Sequence, residues 1–144
     1  MRTVANILET KKSTTTISVA PENYVYQALE LMVEKNVSAV LVMENEKLAG
    51  IFTERDYARK VVLKGKSSKE TPIREVMTAD LVTVTPDGTI EECMLLMTNK
   101  FIRHLPVVAD NKLLGIISIG DVVKYIIDDQ KFIIENLEQY ITGR

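Results

Sequence analysis

Shifted by 65 positions, the sequence lies on itself without a gap. Val19 meets Val84, Pro21 meets Pro86, and Leu31, Met32 and Lys35 meet Leu96, Met97 and Lys100. Val42 meets Val107, Asp56 meets Asp121, and Lys47, Leu48, Gly50 and Ile51 meet Lys112, Leu113, Gly115 and Ile116. Conservative pairs fill the intervals, among them Ile17 with Val82, Ser18 with Thr83, Val25 with Ile90, Val37 with Ile102 and Thr53 with Ser118. A match that carries its glycine, proline and aspartate positions in register is an internal duplication, and it dictates that whatever one copy folds into, the other does too.

Each copy reads alike. A short β-branched segment runs into proline, Thr16–Pro21 and then Val82–Pro86, and proline ends a strand there. Val25, Ala28, Leu29, Met32 and Val33 recur at helical spacing, as do Ile90, Cys93, Met94 and Met97. Two strands follow, Ala39–Met43 with Leu48–Phe52, and Leu105–Ala109 with Leu113–Ser118, joined through Asn- and Asp-bearing links that suit hairpin turns. A second helix begins near Glu54 and near Ile119. The fold class is therefore α+β: two pseudo-symmetric β-α-β-β-α repeats, which should pack on each other because neither hides its apolar face alone, and a C-terminal helical extension.

The expected division is an N-terminal segment plus first repeat over 1–64, a polar linker over 65–75, the second repeat over 76–127 and the extension over 128–144. Ile7-Leu8 and Val76-Met77 stand ahead of the two repeats as short lead-in elements. Phe132, Ile133, Leu137, Tyr140 and Ile141 form an apolar stripe in the extension. Either it covers the chain's own core or it pairs with a second subunit; pairing is favoured, since the first repeat has no counterpart to it.

Composition removes several function classes. A chain of 144 residues with 46% hydrophobic and 26% charged residues is ordinary for a globular protein, and no run reaches the length of a membrane helix or a signal peptide, so a cytoplasmic protein is expected. One cysteine, Cys93, and one histidine, His104, leave no intramolecular disulfide, no thiolate cluster and no multi-histidine metal site. Cys93 falls on the apolar helix face and reads as a buried structural thiol. Net charge is −2, so nucleic acid is an unfavoured partner. One local basic patch exists, with Arg55, Arg59, Lys60, Lys64, Lys66 and Lys69, but no aromatic platform stands beside it.

The informative element follows the third strand of each copy: Gly50-Ile-Phe-Thr53-Glu-Arg-Asp56 and Gly115-Ile-Ile-Ser118-Ile-Gly-Asp121. A hydroxyl three residues ahead of a carboxylate is first of all a capping box, satisfying free amides where a helix starts. It is also a chemistry that fits a nucleoside phosphate. A helix start and a hydroxyl suit phosphate, while an acceptor-only carboxylate suits vicinal ribose hydroxyls.

Taken together, the strand ending at proline, Val37-Ser38-Ala39, Arg103-His104-Leu105-Pro106-Val107-Val108 and both Gly-to-Asp junctions resemble the CBS domain, in the paired, stand-alone bacterial form called a Bateman module. The resemblance covers residues 16 to 127. It implies two pseudo-symmetric clefts between the repeats that take an adenine derivative as ligand, not as catalyst. AMP is expected first, with ATP, ADP, NAD and S-adenosylmethionine as others. By the same resemblance Asp56 and Asp121 hold ribose, Thr53 and Ser118 sit near phosphate, and Ile17, Ser18, Val82 and Thr83 line adenine. Val37 to Ala39 contribute from one repeat and Ile102 to Leu105, with Pro106, from the other.

The copies differ where it matters. Arg103-His104 stands where the first repeat has Ser38-Ala39, Arg55 stands where the second has Gly120, and Pro106 replaces Leu41. Arginine grips phosphate bidentately and histidine can hydrogen-bond it. The Ser118–Asp121 site is thus expected to be the better mononucleotide site, and the Thr53–Asp56 site, with Arg55 and the basic patch, to take something else. The resulting expectation is a regulatory nucleotide sensor, homodimeric and acting on a separate effector protein. Weaker alternatives are a dimerisation module without ligand and a nucleic-acid-binding protein. Catalysis is disfavoured: Ser118, His104 and Asp121 have the residue types of a triad, yet Asp56, the twin of Asp121, has no histidine to match.

Overall fold

The computed structural model describes residues 2–11 and 16–142; residues 143 and 144 of the C-terminal extension lie outside the described residues. The elements run α1 (Val4–Thr10), β1 (Ser18–Val19), α2 (Val25–Lys35), β2 (Ala39–Glu44), β3 (Lys47–Thr53), α3 (Glu54–Asp56, continuing as a π-helical stretch Tyr57–Val62), a 3₁₀ turn (Ile73–Glu75), α4 (Ile90–Lys100), β4 (His104–Ala109), β5 (Lys112–Ser118) and α5 (Ile119–Thr142). The expected repeat is present: β1, α2, β2, β3 and α3 recur 65 positions later, except for the first strand.

That exception has a chemical cause. In the first repeat β1 runs parallel to β2, and the Leu41 N–H donates to the Ile17 carbonyl at 3.0 Å. The residue equivalent to Leu41 is Pro106, which has no N–H to give to Val82. The expected strand over Val82–Pro86 is accordingly reduced to one parallel bridge between Val84 and Val107, held by Val84 N–H to Pro106 O at 3.0 Å and Val108 N–H to Val84 O at 2.9 Å.

Both β-hairpins turn through two residues in the left-handed region, Asn45-Glu46 and Asp110-Asn111. Positive φ at both positions makes a type I′ turn, whose twist matches the strands it joins. In α2 and α4 the buried positions are Val25, Ala28 and Met32, and Ile90, Cys93 and Met97. The expected faces were too wide: Val33 is 82% exposed and Met94 is 45% exposed, because the sheet covers only a narrow stripe of each helix. Both helices end on a left-handed residue, Asn36 and Phe101.

The chain divides into two compact units that do not follow the order of the sequence. One comprises residues 16–82 with 110–113, the other residues 2–11, 83–109 and 114–142. The lead-in segments are therefore exchanged. The 3₁₀ turn belongs with the first repeat: Ile73 and Val76 are buried in its core with Val40, Val42, Phe52 and Val61, and Ile51 and Thr78 pair as an antiparallel bridge. α1 belongs with the second repeat. Val4 N–H donates to Gly88 O and Ala5 N–H to Pro86 O, both at 2.9 Å, and Val4 and Ile7 are buried. The end of the polar linker thus supplies core residues.

Each lead-in crosses a glycine. A Cβ on Gly50 would stand 2.8 Å from the Thr78 carbonyl oxygen and 2.9 Å from Met77 Sδ, whereas on Gly115 it would meet only Leu8 Cδ2, at 3.1 Å. Main chain cannot yield as a leucine methyl can. Gly50→Ala should cost about 1–3 kcal/mol in chemical denaturation, and Gly115→Ala less than about 1 kcal/mol. Equal costs would mean the two lead-ins press on their glycines alike.

Candidate functional site

The junctions after β3 and β5 are built by the same bonds. Each helix start is tied to the strand beside it: Glu54 N–H donates to Ser38 O at 3.1 Å and Ile119 N–H to Arg103 O at 2.9 Å. This brings Ser38 and Ala39 to Thr53 and Asp56, and Arg103 and His104 to Ser118 and Asp121. The capping box forms in both. Thr53 N–H donates to Asp56 Oδ2 at 3.0 Å, and Asp56 N–H returns a bond to Thr53 Oγ1 at 3.1 Å. Ser118 N–H donates to Asp121 Oδ2 at 2.8 Å, and Asp121 N–H to Ser118 Oγ at 3.1 Å.

Beyond the cap the two carboxylates differ, through residues that sequence spacing did not single out. Asp56 is buried, and its Oδ1 accepts from Thr78 Oγ1 at 2.9 Å and lies 3.2 Å from Lys60 Nζ. Asp121 keeps 26% of its side chain exposed; its Oδ2 lies 3.0 Å from Lys11 Nζ, which also donates to Ile116 O at 2.7 Å. Lys60 was legible as an i,i+4 partner of Asp56, but nothing in the spacing marks Lys11 or Thr78. Asp56 is thus nearly closed off by its own repeat, while Asp121 is half open.

Burial works to raise the Asp121 carboxyl, but the Ser118 N–H, the Lys11 ammonium and the Ser118 hydroxyl outweigh it and hold the group below the ordinary carboxylate range. A depressed folded-state value adds stability above the unfolded pKa, near 3.9, and that increment is lost as pH falls through the lower folded value.

Of the other expected site residues, Ser18, Arg55, Thr83 and Arg103 are exposed, and Ile17, Val37, Val82, Ile102 and His104 are half-buried. Ala39, Leu105 and Pro106 are buried, and Leu105 offers no exposed surface to a ligand. The basic patch is partly spent within its own unit: Lys60 on Asp56, Lys66 on Glu75 at 3.8 Å and Lys69 over the Tyr26 ring at 5.0 Å. Cys93 is buried, and burial, with Glu92 nearby, pushes its thiol up, the opposite of an activated nucleophile. Among the described residues no group of three His, Cys, Asp or Glu is placed to hold a metal, and no helix is long and apolar enough to cross a membrane.

The Asp121 linkage gives a direct measurement. Asp121→Asn should be less stable than the unaltered chain at neutral pH, and the gap should narrow as pH falls below about 4. A gap that stays constant to pH 2 in urea melts would mean the carboxylate is not held by these bonds.

The geometry is matched by known proteins. The profile of the CBS domain matches residues 6–63 and again 73–128. The chain is 42% identical over 127 residues to the CBS domain-containing protein CBSX3, mitochondrial, of Arabidopsis thaliana, covering 85% of this chain and 62% of that protein's length. It matches the structure of a protein with CBS domains from Burkholderia ambifaria MC40-6 with a TM-score of 0.86 and 51% identity, covering 89% of this chain and 96% of that one. The CBS domain pair of protein MJ0100, in complex with 5-methylthioadenosine and S-adenosyl-L-methionine, matches with a TM-score of 0.75 and 25% identity over 86% of this chain and 98% of that one. The exchanged lead-ins, the twice-built junction and these matches converge: the chain belongs to the CBS-domain family, as two CBS domains in tandem.

Proposed function

We propose that this CBS pair is a regulatory sensor of adenine nucleotides, binding AMP in preference to ATP, ADP or NAD at the Ser118–Asp121 junction, and that it acts as a cytoplasmic homodimer on a separate effector protein. The observation that carries the reading is the half-open Asp121 carboxylate, held at a helix start beside Arg103 and His104. Ribose hydroxyls are donors and the carboxylate accepts them. Arg103 and the Lys11 ammonium then supply positive charge for phosphate, with Ser118 Oγ and His104 as hydrogen-bonding groups. The adenine ring would lie along Ile102, Val82 and Thr83, where Pro106 leaves the Val82 carbonyl without the strand bond its twin Ile17 makes. That carbonyl is a natural acceptor for an exocyclic amine. The adenosine-containing ligands of the MJ0100 pair support this class of ligand.

The Thr53–Asp56 junction is the weaker candidate. Thr78 and Lys60 already engage the carboxylate that a ribose would need, so a ligand there must displace both. Ile17, Ser18, Val37, Ala39 and Arg55 would frame that site. Binding changes the protein only as far as the ligand prefers one of its states over another, and the preference assigned here is for a state in which Lys11 leaves Asp121 for phosphate.

Thermal denaturation with AMP, ADP, ATP, NAD and S-adenosylmethionine, together with mass spectrometry of whatever heat releases from the purified protein, tests the reading. A ligand at about one hundred times its Kd should add about 2.7 kcal/mol. Asp121→Ala should abolish the shift, and Arg103→Ala should weaken AMP while leaving adenosine nearly unaffected. If no nucleotide stabilises the protein and none is released, the chain is a dimerisation module without ligand.

A further inference from the structure

The helix α5 runs unbroken for 24 residues, from the Ser118 cap to Thr142. Its first turns are anchored: Val122 is buried, Tyr125, Ile126 and Asp129 are half-buried, and Asp129 lies 3.5 Å from Arg2. From Gln130 to Thr142 every residue is exposed. An unsupported helix end of this length is marginal in water, and this one carries its apolar residues outward. Val123, Ile127, Ile134, Leu137 and Ile141 are 48, 58, 53, 55 and 80% exposed. With Gln130 they succeed one another at intervals of four, three, four, three and four, the seam of a helical pair. Ile127, Ile134 and Ile141 occupy one set of seam positions and Val123, Gln130 and Leu137 the other.

We propose that this seam pairs antiparallel with α5 of a second copy of the chain, and that this contact builds the homodimer assumed above. The flanks choose the partner and its direction. On one side of the seam stand Lys124, Lys131 and Glu138, on the other Ile126, Ile133 and Tyr140. In an antiparallel pair like flanks meet, so Lys131 faces Glu138 of the second copy, twice, and Ile133 and Tyr140 meet their own kind. In a parallel pair unlike flanks meet, and each charge would lie against an apolar side chain, which desolvates it without a partner. The helix therefore complements itself in one direction only. Matching Lys131 to Glu138 centres the two-fold between Ile134 and Glu135, so the paired stretch runs from Ile127 to Thr142 and leaves Val123 outside it, and Gln130 is the single polar interruption, a cost accepted where register must be specified.

Sedimentation equilibrium of the full chain tests this. The unaltered protein should be dimeric at concentrations on the order of 10 µM. Leu137→Asp, at an exposed position that spares the fold, should raise the dimer Kd at least about tenfold while nucleotide stabilisation of the remaining module persists and circular dichroism loses no more than the signal of the helix end. Lys131→Glu alone should weaken the dimer a few-fold, and adding Glu138→Lys should restore it. Ile134→Cys should cross-link to its copy on oxidation, whereas Gln130→Cys should not, since an antiparallel pair holds the two copies of residue 130 about 15 Å apart. Cross-linking at both positions would overturn the antiparallel direction. A dimer unaffected by Leu137→Asp would overturn the seam while leaving the homodimer standing, and a monomeric unaltered chain would remove both. Nucleotide binding measured in parallel reports on the sensor reading separately.

Discussion

Each repeat depends on one reciprocal exchange, in which an aspartate carboxylate accepts from the amide of a threonine or serine and the aspartate's own amide donates to that residue's hydroxyl oxygen in return. The exchange fixes where the last helix of the repeat begins. The amide just after the cap then reaches back to the strand start, at Ser38 or Arg103. Helix, strand and hairpin are thus locked at a single corner, and a carboxylate is left there at a set height above the sheet.

How the carboxylate oxygens are divided separates the repeats. Asp56 spends its second oxygen on Thr78 and Lys60, both from its own unit, and is closed by them. Asp121 shares its capping oxygen with Lys11. Pro106 adds a second asymmetry by withdrawing one donor from the neighbouring segment. Two small departures from perfect repetition, neither in the junction motif, turn one inherited site into two of different openness.

The parts of this that could be read from sequence are those whose cause is local. The hairpins were legible because Asn45 and Asp110 tolerate positive φ, and the junctions because a capping box is a four-residue pattern. The contrast between Leu41 and Pro106 was visible, and its consequence for the second repeat's first strand follows from the missing N–H. That α2 and α4 are helices was legible but their buried faces were drawn too wide, since periodicity cannot say how much of a stripe a small sheet will cover. What was hidden is what is distant in sequence: Lys11 beside Asp121, Thr78 beside Asp56, and the exchange of the lead-ins. No pattern in Ile7-Leu8 or Val76-Met77 says which repeat they will close.

That exchange sets an order of events during synthesis. α1 precedes the other described elements, and at seven residues it is too short to persist alone. The main-chain groups that receive it, at Pro86, Gly88 and Thr89, lie about eighty residues downstream. At translation rates of roughly 5–20 residues per second, α1 stays unpaired for on the order of 10 s while the first repeat, closed by its own downstream turn at Ile73–Val76, can already be complete. The repeats look interchangeable, but the nascent chain must finish the first before the second has its opening helix, and a helix made ahead of both is placed only with the second.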